Sequence, residues 1–179
     1  ALVSMLEQLD TLVDNTILES NIPFTVIHGD FCASNILFDP KTRIVKLLDP
    51  RGSFGKQSIY GDPRYDLAKL MHSFCGNYDF ITSDRFRLLW DQHSIEYTIW
   101  DSNYHQVVRS LFQSKLSQTY PEYLEATETI QALLFTSMIP LHADHFNRQL
   151  AMLATGIQLL AKQLVKREIL HNKYIGVDV

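Results

Sequence analysis

Three oxygen-bearing side chains stand where short apolar runs begin or end. In the stretch VIHGDFCASNILFD, Asp30 follows the β-favouring residues Thr25, Val26 and Ile27, and Asn35 stands immediately before Ile36, Leu37 and Phe38. In VKLLDPRG, Asp49 closes the run from Ile44 to Leu48. Asp39, Pro40, Lys41 and Thr42 make a turn between the two later runs, with Pro presetting the backbone at its second position, so a hairpin is predicted. A hairpin brings Asn35, at the start of one arm, to the same end as Asp49, at the finish of the other. Two hard oxygen ligands there suit magnesium, which takes one or two protein ligands and completes its octahedron with water and phosphate oxygens. Asp30, on the same edge, is left to orient a nucleophile. That is the chemistry of phosphoryl transfer, in which the protein positions an acceptor hydroxyl and cations offset charge between the β- and γ-phosphates.

The elements that must hold these residues follow from patterning. Leu2, Met5, Leu6, Leu9, Leu12, Val13 and Ile17 recur at spacings of three and four, which predicts one amphipathic helix from Leu2 to Leu18. Asn21 and Pro23 end it. From Asp49 to Tyr60, the residues Pro50, Gly52, Ser53 and Gly55 predict an ordered loop. Asp62 is the expected cap of the next helix, with Pro63 at its first position and Leu67, Leu70, Met71 and Phe74 as its buried stripe. Further helices are expected over Ser83 to Gln92, Tyr104 to Tyr120, Glu122 to Ser137 and Asp144 to Glu168, while Ile95 to Trp100 is ambiguous.

Composition bounds the rest. The 179 residues, 46% hydrophobic and 20% charged, predict a single soluble globular domain over 1–179, long enough to build a core without disulfides. The net charge is -4, and no segment interleaves Lys or Arg with aromatics, which excludes a nucleic-acid groove. Cys32 and Cys75 belong to no CxxC or metal-spaced cluster, so a reducing, cytoplasmic compartment is expected. No run of eighteen apolar residues exists, hence no membrane span is expected, and Glu7 and Asp10 stand where a signal peptide would carry Lys or Arg.

Asp30, four residues, Asn35, then a strand and Asp49 is the order of a kinase catalytic loop. On these residues the sequence resembles the aminoglycoside phosphotransferase and choline kinase family, a branch of the protein-kinase-like fold. His28, Gly29, Asp30 and Asn35 match its HGDxxxxN loop, Asp49 takes the place of its second metal-binding Asp, and GDPRYDLAKL is similar to its GDPxxDLA helix start. The resemblance implies Asp30 as the catalytic base, and Asn35 and Asp49 as ligands of Mg2+ and, through it, of ATP or another nucleoside triphosphate. It implies His28, Asp62 and Asp66 as loop organisers and a small-molecule hydroxyl as acceptor. The implied fold is α+β, mostly α: the C-terminal lobe of a protein-kinase-like fold, with a small β-hairpin carrying the catalytic and metal loops. The DPRG segment, the run from Asp66 to Ser73 and PLHADH near residue 140 are most similar to kinase-like proteins of capsule or cell-surface polysaccharide synthesis. Pro50 and Arg51 depart from the aromatic many members carry there, and Arg51 is also a candidate clamp on Asp62 or Asp66.

A kinase-like nucleotide site further needs a strand-borne Lys, a helix Glu to hold it and usually a glycine-rich loop, all ahead of the catalytic loop. Before His28 the sequence contains no Lys and no Gly. The resemblance therefore covers a C-terminal lobe, with the nucleotide-binding N-terminal lobe missing and expected in the same parent chain, unless this lobe stands alone. The leading expectation is an ATP- and Mg-dependent phosphotransferase lobe, inactive in isolation, acting on a sugar or sugar-like hydroxyl. The rival is a non-catalytic, pseudokinase-like lobe that binds or scaffolds, and the oligomeric state is open. His28 is read as ordering the loop without moving a proton, and Cys32 as a small loop residue rather than a nucleophile. Asp144 is read as a helix cap rather than a metal ligand with His142 and His145, with His142 or Asp144 lining an acceptor pocket. Leu150, Leu153, Ile157, Leu160 and Leu164 are core, whereas Asp84, Arg85, Arg87, Lys162, Lys166 and Arg167 are solvated helix faces.

Overall fold

The second half of the chain carries long runs with apolar residues at three- and four-residue spacing, and it supplies the helical frame on which the first half is laid. The computed structural model describes residues 2–53 and 58–167. The order is α1 (Leu2–Leu6), α2 (Leu9–Val13), a π-helical turn (Asp14–Leu18), β1 (Thr25–Val26), a 3-10 turn (Ala33–Asn35), β2 (Ile36–Asp39), β3 (Ile44–Leu47) and β4 (Tyr60–Gly61). There follow α3 (Pro63–Phe74), α4 (Tyr78–Thr82), β5 (Phe86–Trp90), β6 (Ile95–Ile99), α5 (Asn103–Thr119), α6 (Leu124–Ser137) and α7 (Phe146–Lys166). The described residues are α+β and mostly helical, with three small antiparallel sheets among them, β1–β4, β2–β3 and β5–β6. Among the described residues no helix is long and apolar enough to cross a membrane.

Helix α6 packs on both α7 and α3, and two apolar clusters sit on it. One joins Met5 and Leu12 to Ala132, Leu160 and Leu164, and the other joins Ile81 to Phe135, Met138, Ala151 and Met152. Each fully buried Leu, Ile, Phe or Met contributes roughly 1.5–3 kcal/mol. The hairpin β2–β3 pairs Ile36 with Leu47 and Asp39 with Ile44, which puts Asn35 and Asp49 beyond the same end. Its turn is held by the Asp39 carboxylate, which accepts the Lys41 N–H at 2.9 Å and the Thr42 hydroxyl at 2.6 Å, and Arg43 completes it in the left-handed region at φ 57°.

Several expectations about the elements are corrected. The helix expected over Ser83 to Gln92 is strand β5, and the ambiguous segment after it is its partner β6. Period-two alternation carries both, since Phe86, Leu88, Ile95, Tyr97 and Ile99 are half-buried between exposed neighbours, and the Asp91 carboxylate ties the turn by accepting the His93 and Ser94 N–H groups. Tyr97 anchors the hairpin by donating to Thr155 Oγ1 at 2.6 Å. Second, the single helix from Leu2 to Leu18 is interrupted at Glu7 and Gln8, and its buried line is Met5, Gln8, Leu12 and Thr16, so two polar residues belong to the packed face. Third, α7 begins at Phe146 with His145 at its cap position and Asp144 exposed. The expected helix end at Glu168 lies outside the described residues. Fourth, Asp84, Arg85 and Arg87 are exposed as expected but lie on strand β5 and the turn before it rather than on a helix; among these surface charges Asp84 takes Arg148 at 2.8 and 2.6 Å, Lys166 takes Glu128 and Arg167 takes Glu125.

Helix α3 begins as expected, with Asp62 accepting the Arg64 N–H at 2.9 Å and Pro63 at the first position. Of the expected stripe, Met71 is buried and Leu67, Leu70 and Phe74 are half-buried, while the buried face also takes in Ala68 and the polar residues Arg64, Lys69, His72 and Ser73. Arg64, 3% exposed, grips the Asp62 carboxylate through Nε and Nη2 and reaches Ile17 O and Ser20 Oγ. It thereby locks the N-terminal segment to α3. Arg64→Met is expected to cost about 3 kcal/mol of unfolding free energy in urea, the low end for breaking a buried pair because Asp62 stays partly reachable by water. A loss below about 1 kcal/mol would show that Arg64 is not a structural tie.

Candidate active site

Asp62, Asp66, Lys69 and Ser73 succeed one another at intervals of four, three and four, which aligns them on one face of α3. Above the cap residue, each of the other three takes hold of the loop that follows β1. Asp66 accepts the His28 N–H at 2.7 Å on Oδ2 and the Gly29 N–H at 2.9 Å on Oδ1. Lys69 Nζ lies 2.7 Å from Asp30 Oδ1, and Ser73 Oγ accepts the Ala33 N–H at 3.0 Å. Residues 28, 29, 30 and 33 are thus held in sequence by one helical face.

The loop then fastens the hairpin. His28 Nδ1 accepts the Asp30 N–H at 3.3 Å, so its Nε2 is the donor to Leu48 O at 2.9 Å, and His28 O accepts the Arg51 N–H at 2.8 Å. Gly29 is required twice over, by its φ of +78° and because a Cβ there would sit 2.9 Å from Arg51 Cβ. Asn35 Nδ2 donates to Asp30 O at 2.8 Å and to Asp30 Oδ2 at 3.2 Å, while Leu48 N–H donates to Asn35 O at 2.9 Å. Cys32 is buried, with Sγ 3.2 Å from Ser34 Oγ. Asp49 adopts the left-handed region at φ 53°, a conformation that costs a non-glycine residue energy and that concentrates at functional sites.

A cleft of about 650 Å³ opens beside this assembly, lined among others by Asp30, Asp49, Arg51, Lys69, Tyr78 and His142. Burial lowers the basicity of the His142 imidazole and pushes the Tyr78 phenol up to about 12, so at neutral pH both present uncharged polar groups. Asn35 spends its amide N–H donors on Asp30, which leaves its Oδ1 as an acceptor. An amide oxygen and a carboxylate beyond one hairpin end are hard donors that fit magnesium. His142, Asp144 and His145 form no such set, since among the described residues no three His, Cys, Asp or Glu side chains cluster as ligands. Asp144 does not line the cleft. Arg51 clamps neither carboxylate proposed for it: Asp62 holds Arg64, and Asp66 holds two backbone N–H groups. Lys69 and Ser73 do not stand out in the apolar periodicity of α3. The same three-and-four spacing, read on its polar residues, marks them.

The model of the phosphotransferase enzyme family, APH, matches residues 3–99, more than half of the chain, and so takes in the loop, the β2–β3 hairpin and α3. The chain belongs to this phosphotransferase enzyme family. Comparisons with curated proteins and with solved structures returned no match.

Beneath the cleft, His72 is fully buried, stacked on Tyr78 at 4.1 Å and tilted against Phe135 at 4.3 Å, and neither ring nitrogen has a hydrogen-bond partner among the described residues. Burial first, then the Lys69 and His142 charges, hold its imidazole well below the usual value of 6.5. The folded chain therefore keeps His72 neutral, whereas the unfolded chain binds a proton below about pH 6.5. Stability from this source is complete above that value and declines as the pH falls, until the folded imidazole itself is protonated, with a slope approaching about 1.4 kcal/mol per pH unit. Urea midpoints between about pH 7.5 and 5.5 check this, and His72→Gln is expected to flatten that decline. An unchanged slope in the variant would assign the decline to other groups.

Proposed function

We propose that the cleft transfers the γ-phosphoryl group of ATP, or of another nucleoside triphosphate, to a hydroxyl of a small polar molecule, a sugar or sugar-like metabolite. The observation that carries this reading is the Asp30 carboxylate, pinned on both oxygens and open to a cleft that also receives Asp49. Asp30 would align the acceptor hydroxyl and accept its proton as the acceptor oxygen bonds to the γ-phosphorus. The bond from that phosphorus to the β–γ bridging oxygen breaks, and its electron pair leaves on the nucleoside diphosphate. Asn35 and Asp49 would hold magnesium, which when bound neutralises charge on the β- and γ-phosphates. His28, Asp62 and Asp66 serve by position, keeping the loop and α3 in register.

The acceptor class is drawn from the far wall of the cleft. Tyr78, Ser137 and His142 offer hydroxyls and a neutral imidazole beside apolar Leu134, Met138 and Leu141, a mixture suited to a sugar's hydroxyl edge and carbon face. The similarity of the DPRG, DLAKL and PLHADH segments to kinase-like proteins of capsule or cell-surface polysaccharide synthesis agrees with such an acceptor. We further read this region as the C-terminal lobe of a kinase-like enzyme. Every residue of β2 and β3 except Ile36 is exposed, including Leu37, Phe38, Ile44, Val45 and Leu47, and a nucleotide-binding lobe of the parent chain would cover that apolar face.

Calorimetric titration of ATP into this chain and its full-length parent, with and without magnesium, tests the reading together with two variants. Asp30→Asn should lower turnover about 10²–10⁴-fold with nucleotide binding nearly intact. Asp49→Ala should weaken binding chiefly in its magnesium-dependent part. Wild-type turnover in both variants would overturn the site assignment, and nucleotide binding without turnover in any preparation would point to a non-catalytic lobe.

A further inference from the structure

Lys69 is a lysine in the interior of α3 whose side chain is only 9% exposed, and an ammonium so placed requires a partner. Its partner is Asp30, whose side chain is 40% exposed and faces the cleft. The pair therefore has a buried end on a helix and an accessible end at the site. On the opposite side, Asn35 Nδ2 reaches Asp30 Oδ2 from the start of β2. The two carboxylate oxygens are thus held from two separate elements, which fixes the plane of the group while leaving each oxygen a further lone pair. The ammonium also lies 5.9 Å from the centre of the Tyr78 ring, another wall of the cleft.

We propose that Lys69 is a positioning residue of the transfer reaction: it fixes the Asp30 carboxylate toward the acceptor hydroxyl and offsets its charge against the approaching triphosphate. The inference rests on the phosphotransferase reading above. A bare carboxylate beside the γ-phosphate would repel it, and the repulsion is greatest in a site from which water is excluded. An ammonium 2.7 Å from that carboxylate removes most of the opposing charge without occupying the acceptor's place. Its mounting on α3 matters equally, because the same helical face holds residues 28, 29 and 33 and so sets the base and its loop with one rigid element.

The test is phosphate release from magnesium ATP by the full-length polypeptide, with water as acceptor. Lys69→Ala is expected to lose about 10- to 100-fold in kcat, the cost of a misplaced reacting group, with KM for magnesium ATP within about threefold. Calorimetry should give the wild-type stoichiometry for nucleotide, which separates this loss from a shortage of folded protein. Ethylammonium ion, which fits the space left by the truncated side chain and restores the charge, should recover turnover saturably, and ethanol of similar size should not. A kcat within about threefold of wild type, or a loss that ethylammonium does not repair, would overturn the proposal. Should Lys69→Ala fail to fold, Lys69→Met keeps the apolar stem, and the same split of kcat from KM at unchanged stoichiometry decides. Asp30→Asn run alongside distinguishes the two levels: equal release by wild type and this variant refutes the phosphotransferase reading, and the role of Lys69 falls with it.

Discussion

The Asp66 carboxylate accepts two successive main-chain N–H groups, those of His28 and Gly29, and the geometry of the site descends from that grip. Hydrogen bonds to a charged group are each worth roughly 1.5–3 kcal/mol, and two from adjacent residues fix an orientation as well as a distance. With its N–H turned to α3, His28 directs its carbonyl to the Arg51 N–H and its ring to Leu48 O. The residues on either side of the Asp49–Pro50 pair are therefore placed by the loop. One helix carboxylate, acting through one histidine, sets where the second acidic residue of the site stands relative to the first.

That arrangement demands a rigid α3, and the rigidity comes from elsewhere. The apolar clusters lie at the α6–α7 side of the molecule, and α3 is joined to them by close approach rather than by a broad apolar face of its own. Gln131 on α6 donates to Met71 O at 3.1 Å in the interior. At the end of α3, Gly76 admits the Phe135 ring so closely that a Cβ would fall 2.5 Å from it and 2.8 Å from His72 O. Arg64 ties the other end of the helix to Ile17 and Ser20. Stability is thus concentrated in α6 and α7, and positional accuracy in α3.

The placement of Asp30, Asn35 and Asp49 was legible in the sequence because it rests on short-range facts. Asp30, Asn35 and Asp49 flank short strands, the turn after Asp39 is marked by Pro40, and a hairpin has only one way to bring its ends together. Asp62 and Pro63 announced the start of α3 for equally local reasons. What escaped was tertiary. The Phe86–Trp90 strand has helix-compatible composition, and only its pairing with Ile95–Ile99 and the Tyr97 bond to Thr155 decide the period. Gln8 and Thr16 joined the packed face of the N-terminal segment although apolar counting passes over them.

The same blindness explains α3, and here it bears on function. Reading a helix for its apolar stripe assumes that the buried side is the apolar side. In α3 the side turned inward meets the backbone of the loop after β1, which presents N–H groups and a carboxylate rather than methyls. The matching residues are accordingly an acid for two N–H groups, an ammonium for a carboxylate and a hydroxyl for a further N–H. Replacing that stripe with leucines would suit a helix packed on another helix but would leave the loop's polar groups unpartnered, at about 1–3 kcal/mol for each buried one. Polar residues at core spacing on a helix that follows a chemistry-bearing loop are therefore the complement of that loop, and their order along the helix follows the order of the loop residues they hold.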